Sequence, residues 1–112
     1  YEVALQQNPG DATVHSNIGT IFFQTGNFPE AYKAFTKATQ LNPYYSDAFL
    51  NLGSVNGMMN QLDQAIAAFN RCVEIDPNNA MAWYYLGITY QNMGNTVKAQ
   101  ECFSRQQQLQ QK

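Results

Sequence analysis

Charge is scarce in this sequence. Only 12% of its 112 residues are Asp, Glu, Lys or Arg, and six of those are basic. Lys33, Lys37, Arg71, Lys98, Arg105 and Lys112 are scattered along the chain. They form no basic cluster of the kind that neutralises phosphates or holds an anionic membrane surface, so nucleic acid is not an expected partner. No apolar run is long enough to span a bilayer, which argues against direct membrane insertion. Histidine occurs once, at His15, and cysteine twice, at Cys72 and Cys102, with no CxxC and no metal-ligand spacing. The P-loop, GxGxxG and GxSxG patterns are missing. The eight acids form no repeated inward pair such as glycoside hydrolysis needs. No catalytic residue, no metal and no cofactor is therefore expected. The sequence shows no signal-peptide pattern. Its unpaired cysteines lean towards a reducing, cytoplasmic setting, and nothing further fixes a compartment.

What is present is apolar and aromatic. Hydrophobic residues make up 45% of the chain and aromatic residues 13%, enough for one small domain with its own core. Pro9, Pro43 and Pro77 are evenly spaced, at 43 − 9 = 34 and 77 − 43 = 34. The same period aligns Ile18-Gly19 with Leu52-Gly53 and Leu86-Gly87, Ala31 with Ala65 and Ala99, and Phe35 with Phe69 and Phe103. No gap is needed, so the chain is a repeat array. Each unit predicts two helices. The first helices run over 13–25, 47–59 and 81–93, and the second over 28–41, 62–75 and 96–109 or beyond. The Gly26 and Gly94 turns end first helices in left-handed geometry, and the prolines end second helices. Asp11 and Ser46 are expected N-caps. Gly19, Gly53 and Gly87 sit inside helices at one register, at about 1 kcal/mol each relative to alanine. A close helix approach explains them, with Ala31, Ala65 and Ala99 as the expected small partners. The three phenylalanines would then fill the gap between one unit and the next.

The string Trp83-Tyr84-Tyr85-Leu86-Gly87-Ile88-Thr89-Tyr90, followed by Ala99 and Phe103, resembles the tetratricopeptide repeat, W-x2-L-G-x2-Y then A-x3-F. Departures are His15 and Phe49 at the tryptophan place, Asn56 at the tyrosine place and Cys72 at an alanine place. The expected organisation is a single domain over 1–112. Residues 1–9 would be the last helix of a preceding unit, and 12–45, 46–79 and 80–112 the repeats, the third with a Gln-rich helical extension as a polar cap. The resemblance implies an all-α fold, an α-solenoid in which antiparallel helix pairs curl into a right-handed superhelix. It also implies that the first helices line the concave wall.

The free stripe of those helices follows from the register. It carries Thr13, Ser16, Asn17, Thr20, Phe23 and Gln24 in unit one, Asp47, Leu50, Asn51, Ser54, Gly57 and Met58 in unit two, and Met81, Tyr84, Tyr85, Ile88, Gln91 and Asn92 in unit three. Of these, Asn17, Thr20, Phe23, Leu50, Asn51, Ser54, Met58, Met81, Tyr84, Tyr85 and Ile88 are the expected partner-binding residues. Asp47 is the one acid on the stripe, and no Lys or Arg lies on it. Some members of the family clamp a carboxylate tail with Lys, Asn and Arg. Asn51 fills the asparagine place of that clamp, but Ser16, Thr20, Met81 and Tyr85 fill the basic ones, so no carboxylate clamp is expected. Asn17 and Asn51 resemble the asparagine ladder with which other members grip peptide backbones. One amide hydrogen bond is worth about 0.5–1.5 kcal/mol net, so Met and the aromatics must act as the anchors. The expected function is a non-catalytic scaffold that holds a peptide or helix of a protein partner in a mostly uncharged groove. Alternatives are self-association through the N-terminal helix end, or a targeting appendage of an enzyme lying elsewhere.

Overall fold

The computed structural model describes residues 9–110. It has six helices: α1 (Pro9–Gln24), α2 (Phe28–Leu41), α3 (Ser46–Met58), α4 (Leu62–Ile75), α5 (Ala80–Asn92) and α6 (Thr96–Gln110). Consecutive helices pack as antiparallel pairs, α1 with α2, α3 with α4 and α5 with α6, and each pair packs on the next through α2 with α3 and α4 with α5. The architecture is the all-α solenoid that the 34-residue period implies.

The second helices are amphipathic in the simplest way. In α2, Ala31, Ala34, Phe35, Ala38 and Thr39 are buried; in α4, Ala65, Ala68, Phe69, Cys72 and Val73 occupy the same five places. This i, i+3, i+4, i+7, i+8 stripe faces the core, and the opposite face is polar. α3 and α5 are covered from two sides, by their own partner and by the preceding unit. They accordingly bury Ala48, Gly53, Val55 and Asn56 in α3, and Ala82, Leu86, Gly87 and Thr89 in α5.

Each hairpin turn is closed by the same pair of backbone hydrogen bonds. Asn27 N–H donates to Phe22 O at 2.8 Å and Gly26 N–H to Phe23 O at 3.1 Å; Gln61 with Asn56 and Asn95 with Tyr90 repeat the first bond at 2.8 and 2.9 Å. This arrangement needs a left-handed residue after the helix. Gly26 (φ 82°) and Gly94 (φ 83°) supply it as expected, and Asn60 (φ 62°) supplies it in the middle turn. A Cβ built on Gly94 meets nothing within 4 Å, so Gly94→Ala is expected to cost about 1 kcal/mol, from backbone conformation alone. Gly94→Asn, which copies Asn60, should cost less. Thermal denaturation of both variants checks the order.

Several local expectations are corrected. The nearest neighbours of the central glycines are rings rather than alanines. A Cβ on Gly19, Gly53 or Gly87 would come within 2.6 Å of the Phe35, Phe69 or Phe103 ring of the same unit. The wedge that seals one unit to the next is therefore also seated on its own first helix, while Ala31, Ala65 and Ala99 are simply buried. Ser46 is the first residue of α3 rather than its N-cap; Tyr45 stands there, with no side-chain cap bond. Asp11 lies inside α1, which begins at Pro9. Proline fits the first turn of a helix because the N–H it lacks has no intrahelical partner there. Pro43 and Pro77 do follow the ends of α2 and α4. The preceding-unit helix expected over 1–9 falls, apart from Pro9, outside the described residues.

Candidate functional site

The registers that place Phe23, Ser54, Met58, Tyr85 and Ile88 on one wall bring them together around a cleft of ≈ 330 Å³, completed by Gly53, Gly57, Leu62, Phe69, Thr89 and Asn92. None of these side chains is a carboxylate or a cation. The wall is built in layers. Phe23 stacks on Phe28 with ring centroids 5.5 Å apart. Tyr85 lies 6.0 Å from the Phe69 wedge, and Tyr84 bridges Tyr85 (5.8 Å) to Phe103 (6.1 Å). Tilted ring pairs at these separations add a modest attraction beyond the area they bury. Tyr85 is half-buried and forms wall, whereas Tyr84 is 41% exposed and forms rim. Met58 and Met81 stand out into solvent, at 59% and 56% exposure.

The remaining residues of the expected stripe are placed differently. Leu50 is half-buried against the Phe69–Leu86 and Cys72–Ala82 clusters, so it supports the wall from behind. Ser16 is buried. Asn17, Thr20, Asn51, Met81 and Tyr84 lie off the cleft lining. Asn17 is exposed and Asn51 half-buried, and among the described residues neither side-chain amide has a hydrogen-bond partner. The hydroxyls are engaged. Thr20 donates to Ser16 O at 3.0 Å, Ser54 to Leu50 O at 3.1 Å and Thr89 to Tyr85 O at 2.8 Å. These three hydroxyl protons are spent within their own helices, so Thr20, Ser54 and Thr89 present acceptors, while the amides and the Tyr85 phenol remain as donors.

Gly57 lies on the same expected stripe, in α3. It holds the register of Phe23 and Gln91, and a Cβ built there meets nothing within 4 Å. A glycine inside a helix with no close neighbour gains nothing from packing, yet carries the helix penalty. Its effect is to leave the middle of the cleft open. Within the first helices expected over 13–25, 47–59 and 81–93, Gly57 is the one glycine outside the Gly19, Gly53, Gly87 register.

Neither cysteine lines the cleft. Cys72 and Cys102 are free and buried. Burial pushes the Cys72 thiol up to about 11, the carboxylates of Asp76 and Asp47 add to the rise, and the Asn79 amide, 3.7 Å from Sγ, opposes it. Burial likewise raises Cys102. Neither thiol is an ionised nucleophile at neutral pH. Among the described residues no group of three His, Cys, Asp or Glu could hold a metal ion, and no helix is long and apolar enough to cross a membrane. His15 is half-buried in the register of Phe49 and Trp83.

Comparison with known proteins gives the following. Residues 2–111 match the family model of the Cilia and flagella-associated protein 70 middle TPR-like domain. No curated protein matches the chain. Among solved structures, the crystal structure of MamA is 26% identical with a TM-score of 0.88, over 93% of this chain and 61% of that one. The chain thus spans about three-fifths of MamA's length. The second TPR of Spaghetti (RPAP3) bound to HSP90 peptide SRMEEVD superposes with a TM-score of 0.90 at 16% identity, over 97% of this chain and 99% of that one. The TPR2B domain of yeast Sti1, in complex with pHsp70, gives 0.87 at 21%, over 88% and 79%. At those two identities the likeness is one of fold.

Proposed function

Because the chain belongs to the family of the Cilia and flagella-associated protein 70 middle TPR-like domain, we propose that it is a non-catalytic scaffold that holds a peptide or helix of a partner protein in its concave cleft. The supporting observation is the chemistry of the lining. Phe23, Met58, Tyr85 and Ile88 surround a hollow without carboxylates or cations, so the partner segment is neutral where it is gripped and enters with an apolar side chain. The Asn92 amide at the cleft, with Asn17 and Asn51 beyond it, sets the register of the partner's backbone. Met and aromatic side chains are the usual anchors of such surfaces.

Two of the similar solved domains are described as bound to HSP90 peptide or in complex with pHsp70. The HSP90 peptide SRMEEVD is acidic. The stripe here carries Asp47 and no Lys or Arg, so it repels such a tail rather than pairing with it. Phage selection of peptides against the chain tests the reading. The expected winners share an apolar anchor, bind with little dependence on salt, and lose at least about tenfold in affinity, ~1.4 kcal/mol, to Ile88→Glu, while SRMEEVD does not bind. Selection of acidic peptides whose binding collapses between low and high salt would overturn it.

A further inference from the structure

A second hollow, of ≈ 320 Å³, opens on another face of α3. α2 contributes Tyr32, α3 contributes Phe49 and Asn56, and α4 contributes Gln64, Ala67 and Ala68. It shares no lining residue with the concave cleft. α3 has a described helix on each side, so the hollow is complete without either end of the chain. The next unit repeats it with a different chemistry. One period on, Trp83, Tyr90, Lys98, Glu101 and Cys102 hold the places of Phe49, Asn56, Gln64, Ala67 and Ala68, and they line a like hollow. There Lys98 lies 5.5 Å from the Tyr90 ring centroid. In unit two the ring is replaced by an amide, and the two charges by an amide and a methyl group.

Asn56 is the anomaly. Its register holds Phe22 in unit one and Tyr90 in unit three, a ring on either side. Asn56 is 2% exposed, and its Oδ1 is buried without a hydrogen-bond partner. An unpaired buried amide oxygen is destabilising, and a donor that reaches it removes the penalty. The asparagine χ2 well is broad, so the amide can turn its oxygen to an arriving group. No charged side chain lines this hollow. Arg71, with its guanidinium 5.9 Å from the Phe49 ring centroid, is already held by Glu74 at 3.2 Å and by Pro43 O at 3.4 Å. Apolar walls, one open acceptor and no lining charge suit a group with an apolar body and a single neutral donor at its tip. Lysine is charged and would be buried without a counter-ion. Serine and threonine lack the apolar body. Indole carries its N–H on the side of the ring system, whereas phenol carries its O–H at the end.

We propose that this hollow receives a tyrosine side chain of a partner protein, its ring against Phe49 and Tyr32 and its O–H donating to Asn56 Oδ1. The incoming ring stands in for the one that Phe22 and Tyr90 supply at this register in the flanking units. The site is a second docking point, separate from the concave cleft, so each can be lost without the other.

N-acetyl-tyrosine amide and N-acetyl-phenylalanine amide are the probes, titrated into the chain and followed by backbone amide shifts. The tyrosine probe is expected to give saturable shifts in α3 and α4 around Asn56 and Ala67. The phenylalanine probe should bind at least about fivefold more weakly, the discrimination that one hydrogen bond to a buried acceptor supplies. Asn56→Leu keeps the space and removes the acceptor, so both probes should bind that variant equally. Asn56→Tyr puts the ring of unit three into unit two. It should abolish binding of both probes and leave unchanged the affinity of a peptide selected for the concave cleft. Circular dichroism checks that both variants fold, and the comparison of the two probes on the parent chain needs neither of them. No saturable shift, equal affinity of the two probes for the parent, a tyrosine preference that survives Asn56→Leu, binding that survives Asn56→Tyr, or shifts that map to the concave cleft would each overturn the proposal. So would binding of p-cresol where the capped tyrosine does not bind, because the occupant would then be a free phenol and not a side chain.

Discussion

Phe69→Ala is expected to cost about 3–5 kcal/mol, the usual price of emptying a well-packed phenylalanine site. That is a large part of the ~5–15 kcal/mol that holds a domain of this size together. At roughly 4–8 °C per kcal/mol, the melting temperature should fall by at least about 12 °C. The ring touches both sides of a seam. It lies where a Cβ on Gly53 would come within 2.6 Å, it clusters with Ala65, Leu86 and Cys102, and Tyr85 of the next unit stacks 6.0 Å away. Stability in a repeat array is a sum of unit terms and nearest-neighbour seams, so this one substitution weakens unit two and its contact with unit three together. Gly53→Ala probes the same place from the other side, because the added methyl must displace a buried ring. In the Phe69→Ala background that methyl enters empty space, so the double variant should be more stable than the sum of the single losses. A drop of only a degree or two for Phe69→Ala, with additive behaviour of the pair, would mean that the ring is not the wedge described.

Gly57→Leu is expected to separate folding from binding. Leucine favours helix over glycine by about 0.8–1.0 kcal/mol, and nothing lies within 4 Å of the new Cβ, so the variant should melt no lower than the parent and a few degrees higher is expected. The same side chain fills the hollow between Phe23, Met58 and Ile88. A peptide selected for the parent cleft should therefore lose its central anchor, about 2 kcal/mol or roughly 30-fold in Kd, by isothermal titration. Unchanged affinity with raised stability would place the partner elsewhere on the wall. Reduced stability would refute the account of Gly57 itself.

Much of this was legible in the residues alone, and for a definite reason. A fold that repeats every 34 residues tests each local inference three times. Helices α2 and α4 begin and end where the pattern places them, because an amphipathic stripe and a following Asn-Pro or Asp-Pro leave little freedom. Gly26 and Gly94 identify their turns because left-handed backbone favours glycine. Asn60 does the same work less visibly, since asparagine tolerates that geometry without announcing it. The start of α1 was not legible. Proline is compatible both with ending one helix and with opening the next, and local sequence does not choose between them at Pro9.

The stripe was legible as a direction and not as a surface. Periodicity assigned Ser16, Leu50 and Tyr84 equal places, one period apart. Tertiary packing buries the first, half-buries the second against the core and leaves the third on the rim, because the neighbours of a first helix change from unit to unit. The order of units, the pairing of helices and the near absence of charge on the inner wall were written in the sequence, since each depends only on period and side-chain type. Which ring seats on which glycine and where Gly57 leaves space were decided by packing in three dimensions. Those depend on distances between residues a repeat or a hairpin apart, and no local pattern encodes them.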